Sequence, residues 1–146
     1  MCLYNPKQIS LKKDLIAYKV ITITNDNKLL SPYFNDFTWE LNQMYSINTQ
    51  TPDILQKHDL KLIKGNAFHT FKNLKDAKEF RNHNNTINYF HNKLNFGSSQ
   101  DIKEYAVFKC IIPKSSNFVY EGFNGLPPLD TPSFASEKLI LLEKIS

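Results

Sequence analysis

Long apolar runs are missing from this chain. No window approaches the roughly 18 apolar residues that a membrane-crossing helix needs, and Met1 to Lys13 holds no apolar core followed by a small-residue cleavage site. The expectation is a cytoplasmic protein with no membrane partner. Cysteine is equally scarce: Cys2 and Cys110 are too few for a secreted disulfide framework or a zinc cluster, and Cys110 lies in an apolar stretch that reads as a buried strand. The four glycines, Gly65, Gly97, Gly122 and Gly125, form neither G-x-G-x-x-G nor a Walker pattern. Dinucleotide binding by a Rossmann unit and P-loop ATP hydrolysis are thereby excluded. Arginine is almost absent, since Arg81 is the one arginine among 18 basic residues. The net charge of +4 and pI near 9.0 therefore lack the bidentate side chain that reads bases and phosphates, and the lysines are scattered. A nucleic-acid partner is not expected.

What is present fits one globular domain. The length, 146 residues, suffices to bury a core without staples, and 41% hydrophobic with 22% charged residues is ordinary globular composition. Usage is biased toward Asn, Lys and Ile, the mark of A/T-rich coding DNA, and Asn weakens every helical pattern by competing for backbone hydrogen bonds.

Along the chain, Leu15 to Thr24 is rich in β-branched residues, turns at Asn25-Asp26-Asn27 and resumes over Lys28 to Tyr33, which predicts a hairpin. Phe37, Trp39 and Leu41 alternate with polar residues and predict a further strand with one buried face. The segment from Thr51 to Lys64 reads equally as helix or extended chain. Ala67 to Phe71 predicts a short strand entering a helix marked by Leu74, Ala77 and Phe80, with Asn73 as N-cap and Asp76 in the first turn. A second helix is predicted over Thr86 to Leu94, separated from the first by Asn82, Asn84 and Asn85. Tyr105 to Ile112, Asn117 to Tyr120 and Glu137 to Leu142 read as strands, with a Gly- and Pro-containing loop over Glu121 to Pro132. Strands, then helices, then strands around one core predict an α+β fold: a mostly antiparallel sheet with two or three short helices, in a single domain spanning 1–146.

Four features bear on chemistry. Removal of Met1 would leave Cys2 with a free α-amino group as its own base, the arrangement of an N-terminal nucleophile hydrolase or transferase; the plainer reading, which the Leu3 that follows favours, is an unreactive cysteine near a chain end. His69 alternates with Ala67 and Phe71, which sets an imidazole among apolar neighbours, either as general acid or base or as a core histidine bonded to a carbonyl. His83 and His91 share a helix face only if the helix is unbroken, so no metal site is expected. Tyr18, Tyr33, Trp39 and Tyr45 either line a pocket for a ring or fill the core.

Several short pieces resemble a family of small phage, viral and bacterial proteins. They are Met1-Cys2-Leu3, Ala17-Tyr18-Lys19-Val20, Ser31-Pro32-Tyr33, Gly65 with Ala67-Phe68-His69-Thr70-Phe71, Lys109-Cys110-Ile111-Ile112-Pro113, Glu121-Gly122 and Ala135-Ser136-Glu137-Lys138. A more distant likeness is to ADP-ribosyltransferase-like folds. It implies Tyr18-Lys19 at the first position of a nicotinamide-dinucleotide cleft, Ser31 or Ser136 at the second, and Glu121 or Glu137 as the acidic third. Lys19 departs from the arginine of that pattern, and neither Glu-x-Glu nor Gln-x-Glu occurs.

Three function classes follow from these readings. The first is an accessory protein, viral or phage in type and acting in the host cytoplasm as a counter-defence, that binds or modifies an NAD-like or signalling nucleotide. In it Lys19 meets phosphate, Tyr18 and Tyr33 stack on the base, and His69 bonds an oxygen. The second is a Cys2 hydrolase or transferase with His69 as partner. The third is a non-catalytic inhibitor that covers a host protein. The cofactor is left unknown.

Overall fold

The computed structural model describes residues 2–32, 38–93, 102–125 and 130–146. The β-branched run forms strand β2 (Leu15–Thr24), which turns through Asp26 into β3 (Leu29–Leu30), as the hairpin reading expected. Ahead of it lies β1 (Leu3–Gln8); after it come β4 (Met44–Ser46), β5 (Asp53–Lys57), β6 (Leu60–Gly65) and β7 (Phe68–Phe71). Helix α1 (Leu74–Lys93) is followed by β8 (Ile102–Ile112), β9 (Val119–Asn124), β10 (Thr131–Ser136) and β11 (Lys138–Lys144). The strands join in one antiparallel sheet of order β4-β11-β8-β2-β7-β10-β9-β1-β6-β5, with β3 attached to β2.

This arrangement corrects the α+β expectation. Among the described residues the chain is mostly β, eleven strands with a single helix, in place of two or three short ones. The reason is what the asparagines bond to. Asn84 donates back to Phe80 O (2.8 Å) within the helix. Asn85 clasps the β8 backbone in both directions, donating to Tyr105 O (3.0 Å) and accepting from Tyr105 N (2.7 Å), and Asn88 reaches Ile102 O (3.3 Å). Side chains that break isolated helices here tie one continuous helix of 20 residues to the sheet. His83 and His91 thus share an unbroken helix. Asn73 holds the N-cap position: its carbonyl accepts from Ala77 N (3.2 Å) and its amide bonds Asp76.

Other boundaries also moved. The ambiguous segment from Thr51 to Lys64 contains the β5–β6 hairpin, which turns at His58 in the left-handed region (φ 55°). The strand expected over Phe37, Trp39 and Leu41 is absent from the described residues 38–43; Trp39 is buried there while Leu41 is exposed, and Phe37 lies outside the described residues. Leu94 and the Gly97-Ser98-Ser99 break also lie outside them. β1 and β10 were hidden by Pro6 and Pro132. In β1 a register shift between Tyr4 and Lys7, with Asn5 at φ 51°, makes a bulge that takes Pro6 out of the regular ladder.

β10 and β11 are separated by the one residue Glu137, yet β8, β2 and β7 lie between them in the sheet. The sheet must therefore bend back on itself. Its inner face packs Ala17 and Ile21 of β2, Phe108 and Cys110 of β8, and Leu139 and Leu141 of β11 against Val119 and Phe134 from β9 and β10. The outer face of β2, β7 and β8 presents Val20, Phe71 and Val107, which α1 covers with Ala77, Leu74 and Phe80. A third cluster, Leu3, Ile63 and Ala135, closes the far end, where Gly122 lets β9 approach β1: a Cβ there would stand 2.5 Å from Tyr4 O. Among the described residues no helix is long and apolar enough to cross a membrane.

Candidate functional site

Alternation along β2 decides which residues meet. Tyr18 and Val20 face the helix, whereas Ala17, Lys19 and Ile21 face the bent-back interior. Lys19 is thus a cation on an otherwise apolar face, only 9% exposed. The β2–β7 ladder has one bridge, Tyr18↔Phe71, and beside it the Lys19 ammonium donates to the His69 carbonyl at 2.9 Å. Nζ also lies 5.9 Å from the Trp39 ring centroid, within cation–π range. No carboxylate pairs with it among the described residues. Burial lowers its pKa from 10.5 to about 8, outweighing the opposing influence of Cys110.

Trp39 caps this end of the interior. Its indole N–H donates to Ser31 Oγ (2.9 Å), its amide to Leu29 O (2.8 Å), and its ring meets Tyr45 and Phe68 edge-on at 4.9 and 5.4 Å. Ser31 and Lys19 are in this way brought to the same indole. Thr70, which shares the inner face of β7 with Phe68, buries a hydroxyl that has no hydrogen-bond partner among the described residues.

The remaining candidate residues separate from that centre. His69 contributes its carbonyl to Lys19, but its side chain points to the outer face with Phe71 and Ala135, which lies directly opposite it in β10. Burial, and secondarily the charge of Lys19, push the imidazole down to about 3, so it is neutral across the physiological range, and its buried Nε2 has no hydrogen-bond partner among the described residues. A proton shuttle at neutral pH needs a value near 7. Tyr18 packs beneath α1, on the face away from Lys19. Tyr33 lies outside the described residues. Cys2 is half-buried just before β1 and forms no hydrogen bond with His69 Nε2. Cys110 is buried next to Ala17, its thiol pushed up to about 12 by burial and therefore protonated.

Ser136 and Glu137 form a separate structural knot. Ser136 donates to Lys138 O (2.9 Å). The Glu137 carboxylate, fully enclosed, accepts from Asn117 N (3.1 Å), Asn48 N (3.2 Å) and the Ser46 hydroxyl, and pairs with Lys138 at 3.5 Å. Burial raises its pKa, but the bonds from Ser46, Asn117 and Asn48 and the Lys138 charge outweigh that and hold it below the usual carboxylate range. It ties the end of β4 and two loops, β4–β5 and β8–β9, to the β10–β11 bend, and its acceptor capacity is occupied. Glu121, the other acidic candidate, makes an exposed ion pair with Lys72. The acidic third position implied by the transferase likeness therefore does not converge on Lys19.

Sequence reasoning missed Thr70 as a member of the Lys19 centre and missed Trp39 as its cap; the pairing of β2 with β7 was the signal needed. No group of His, Cys, Asp or Glu among the described residues is arranged to hold a metal ion. Neither a family model nor a curated protein nor a solved structure matches this chain.

Proposed function

We propose that this domain binds a small anionic ligand bearing a ring, a nucleotide or NAD-like molecule, at the Trp39 end of the interior. The observation that carries the reading is Lys19: an ammonium in an apolar interior, without a carboxylate partner among the described residues, under an indole. A buried cation is costly unless something negative meets it. Lys19 supplies the charge, Trp39 the stacking face, and the Thr70 and Ser31 hydroxyls the polar contacts. His69 takes part through its carbonyl, which aims the ammonium. Binding, without a catalytic step, is the function these groups support.

Trp39 is the only tryptophan beside seven tyrosines, so tryptophan emission, excited selectively, reports on this centre. Titration with NAD, ADP-ribose and a set of linear and cyclic nucleotides is expected to change Trp39 emission and raise Tm for one compound, and Lys19→Met is expected to abolish both responses. Flat titrations up to millimolar concentration, or an undiminished response in Lys19→Met, would refute the proposal.

A further inference from the structure

Strand β5 ends the sheet, and all five of its residues, Asp53 to Lys57, are exposed. Its outer edge pairs with no strand among the described residues. Exposed edges are commonly blunted by proline, inward charge, a bulge or shortness; the opposite edge, β4, is three residues long. Ile54, Leu55 and Gln56 carry neither proline nor charge, and from Ile54↔Ile63 to Lys57↔Leu60 the strand pairs regularly with β6; the one register shift lies at its start, between Asp53 and Ile54, and its one lysine, Lys57, at its end.

The ladder fixes which groups point outward. Lys57 and Leu60 close a two-residue turn, so theirs is a hydrogen-bonded pair, and alternation makes Leu55 with Leu62 the next. The amides and carbonyls of Ile54 and Gln56 are then directed away from β6.

We propose that β5 pairs antiparallel with β5 of a second copy of this chain, on a two-fold axis through Leu55. The strand, Asp53-Ile54-Leu55-Gln56-Lys57, is self-complementary in that register. Each Ile54 exchanges main-chain bonds with Gln56 of the second copy, Leu55 meets its own counterpart, and Asp53 faces Lys57 at both ends. Centring the axis on Ile54 or Gln56 halves the main-chain bonds and loses the charge pairing. Lys57 has no ion-pair partner within its own chain among the described residues, and Asp53 keeps a carboxylate oxygen beyond the one that accepts from Asn66 (3.2 Å).

The side chains support the same axis. Register places Leu55, Leu62, Tyr4, Phe123 and Pro132 in one row across β5, β6, β1, β9 and β10. Leu55 and Phe123 are 44% and 38% exposed, as is their neighbour Leu60 at 42%. Pairing about Leu55 joins two such rows into one continuous apolar stripe. An isologous contact of this kind closes at two copies and does not propagate.

Sedimentation velocity on the full chain, from micromolar to millimolar, tests the proposal together with hydrogen exchange. Expected are a reversible dimer and concentration-dependent protection of the Ile54 and Gln56 amides. Lys57→Asp, which sets like charges opposite each other at both ends, should raise the dimer dissociation constant by about tenfold or more, and Asp53→Lys/Lys57→Asp should restore it. A chain monomeric to millimolar concentration overturns the proposal, as does a dimer in which these two amides stay unprotected or to which folded Lys57→Asp is indifferent. The amide readout on the unsubstituted chain decides the matter even if a variant fails to fold.

Discussion

Replacing Lys19 with methionine is expected to make the protein more stable at neutral pH while removing its ligand response. The drop from 10.5 to about 8 corresponds to about 3 kcal/mol by which the interior disfavours the ammonium. Methionine keeps a flexible apolar stem and discards the charge. Loss of the bond to the His69 carbonyl returns about 1 kcal/mol. The net gain is about 2 kcal/mol at pH 7, or about 4–8 °C in Tm for a domain of this size. The pH dependence has a definite sign. Below about pH 8 Lys19 is protonated folded and unfolded, so the penalty is present in full. Between about 8 and 10.5 the folded chain releases a proton that the unfolded chain retains, and the unsubstituted protein gains stability as pH rises. That gain, about 3 kcal/mol in full, exceeds the gap of about 2, so the two stabilities should cross below pH 10.5 and the unsubstituted protein should be the more stable there by about 1 kcal/mol. Differential scanning fluorimetry of both proteins across pH 7 to 10.5 measures it. A Lys19→Met protein that melts lower at pH 7, or a gap that does not shrink with pH, refutes the reasoning and makes Lys19 a strut across the β2–β7 seam.

Glu137→Gln should cost about 2–4 kcal/mol, because an amide nitrogen would face the N–H donors of Asn48 or Asn117; urea denaturation measures this. With its pKa lowered in the fold, Glu137 stabilises the protein above its unfolded value of 4.5 and progressively less as pH falls through the folded value. The acid limb of the stability curve should accordingly flatten in the glutamine variant. Asn85→Ala should cost about 2 kcal/mol by removing the side chain that donates to Tyr105 O and accepts from Tyr105 N, and the Tyr105 amide should exchange faster than in the unsubstituted protein; unchanged exchange there would show that the clasp is not what holds the helix.

Local chemistry alone was enough for some of this protein. Branched residues over Leu15 to Thr24, the turn at Asn25 to Asn27 and the apolar run around Cys110 are short-range patterns that any strand needs, and they yielded β2, its hairpin and β8. Asn73 was legible as a cap because capping involves only its own turn. The helix was not, because Asn85 and Asn88 act on β8, 14 to 20 residues away, and propensity has no access to such a partner. β1 and β10 were masked by prolines that a bulge and a specific register accommodate. The candidate site divides on the same line. Lys19 and His69 were visible as polar residues within apolar strands, but strand alternation turned Tyr18 and the His69 ring to the outer face. The bend at Glu137 spent its carboxylate on loops. Composition and periodicity determined that there would be a sheet with polar residues inside it; which of them face one another depended on the pairing of distant strands, and only the tertiary structure decides that, because a register shift of one residue reverses every side chain.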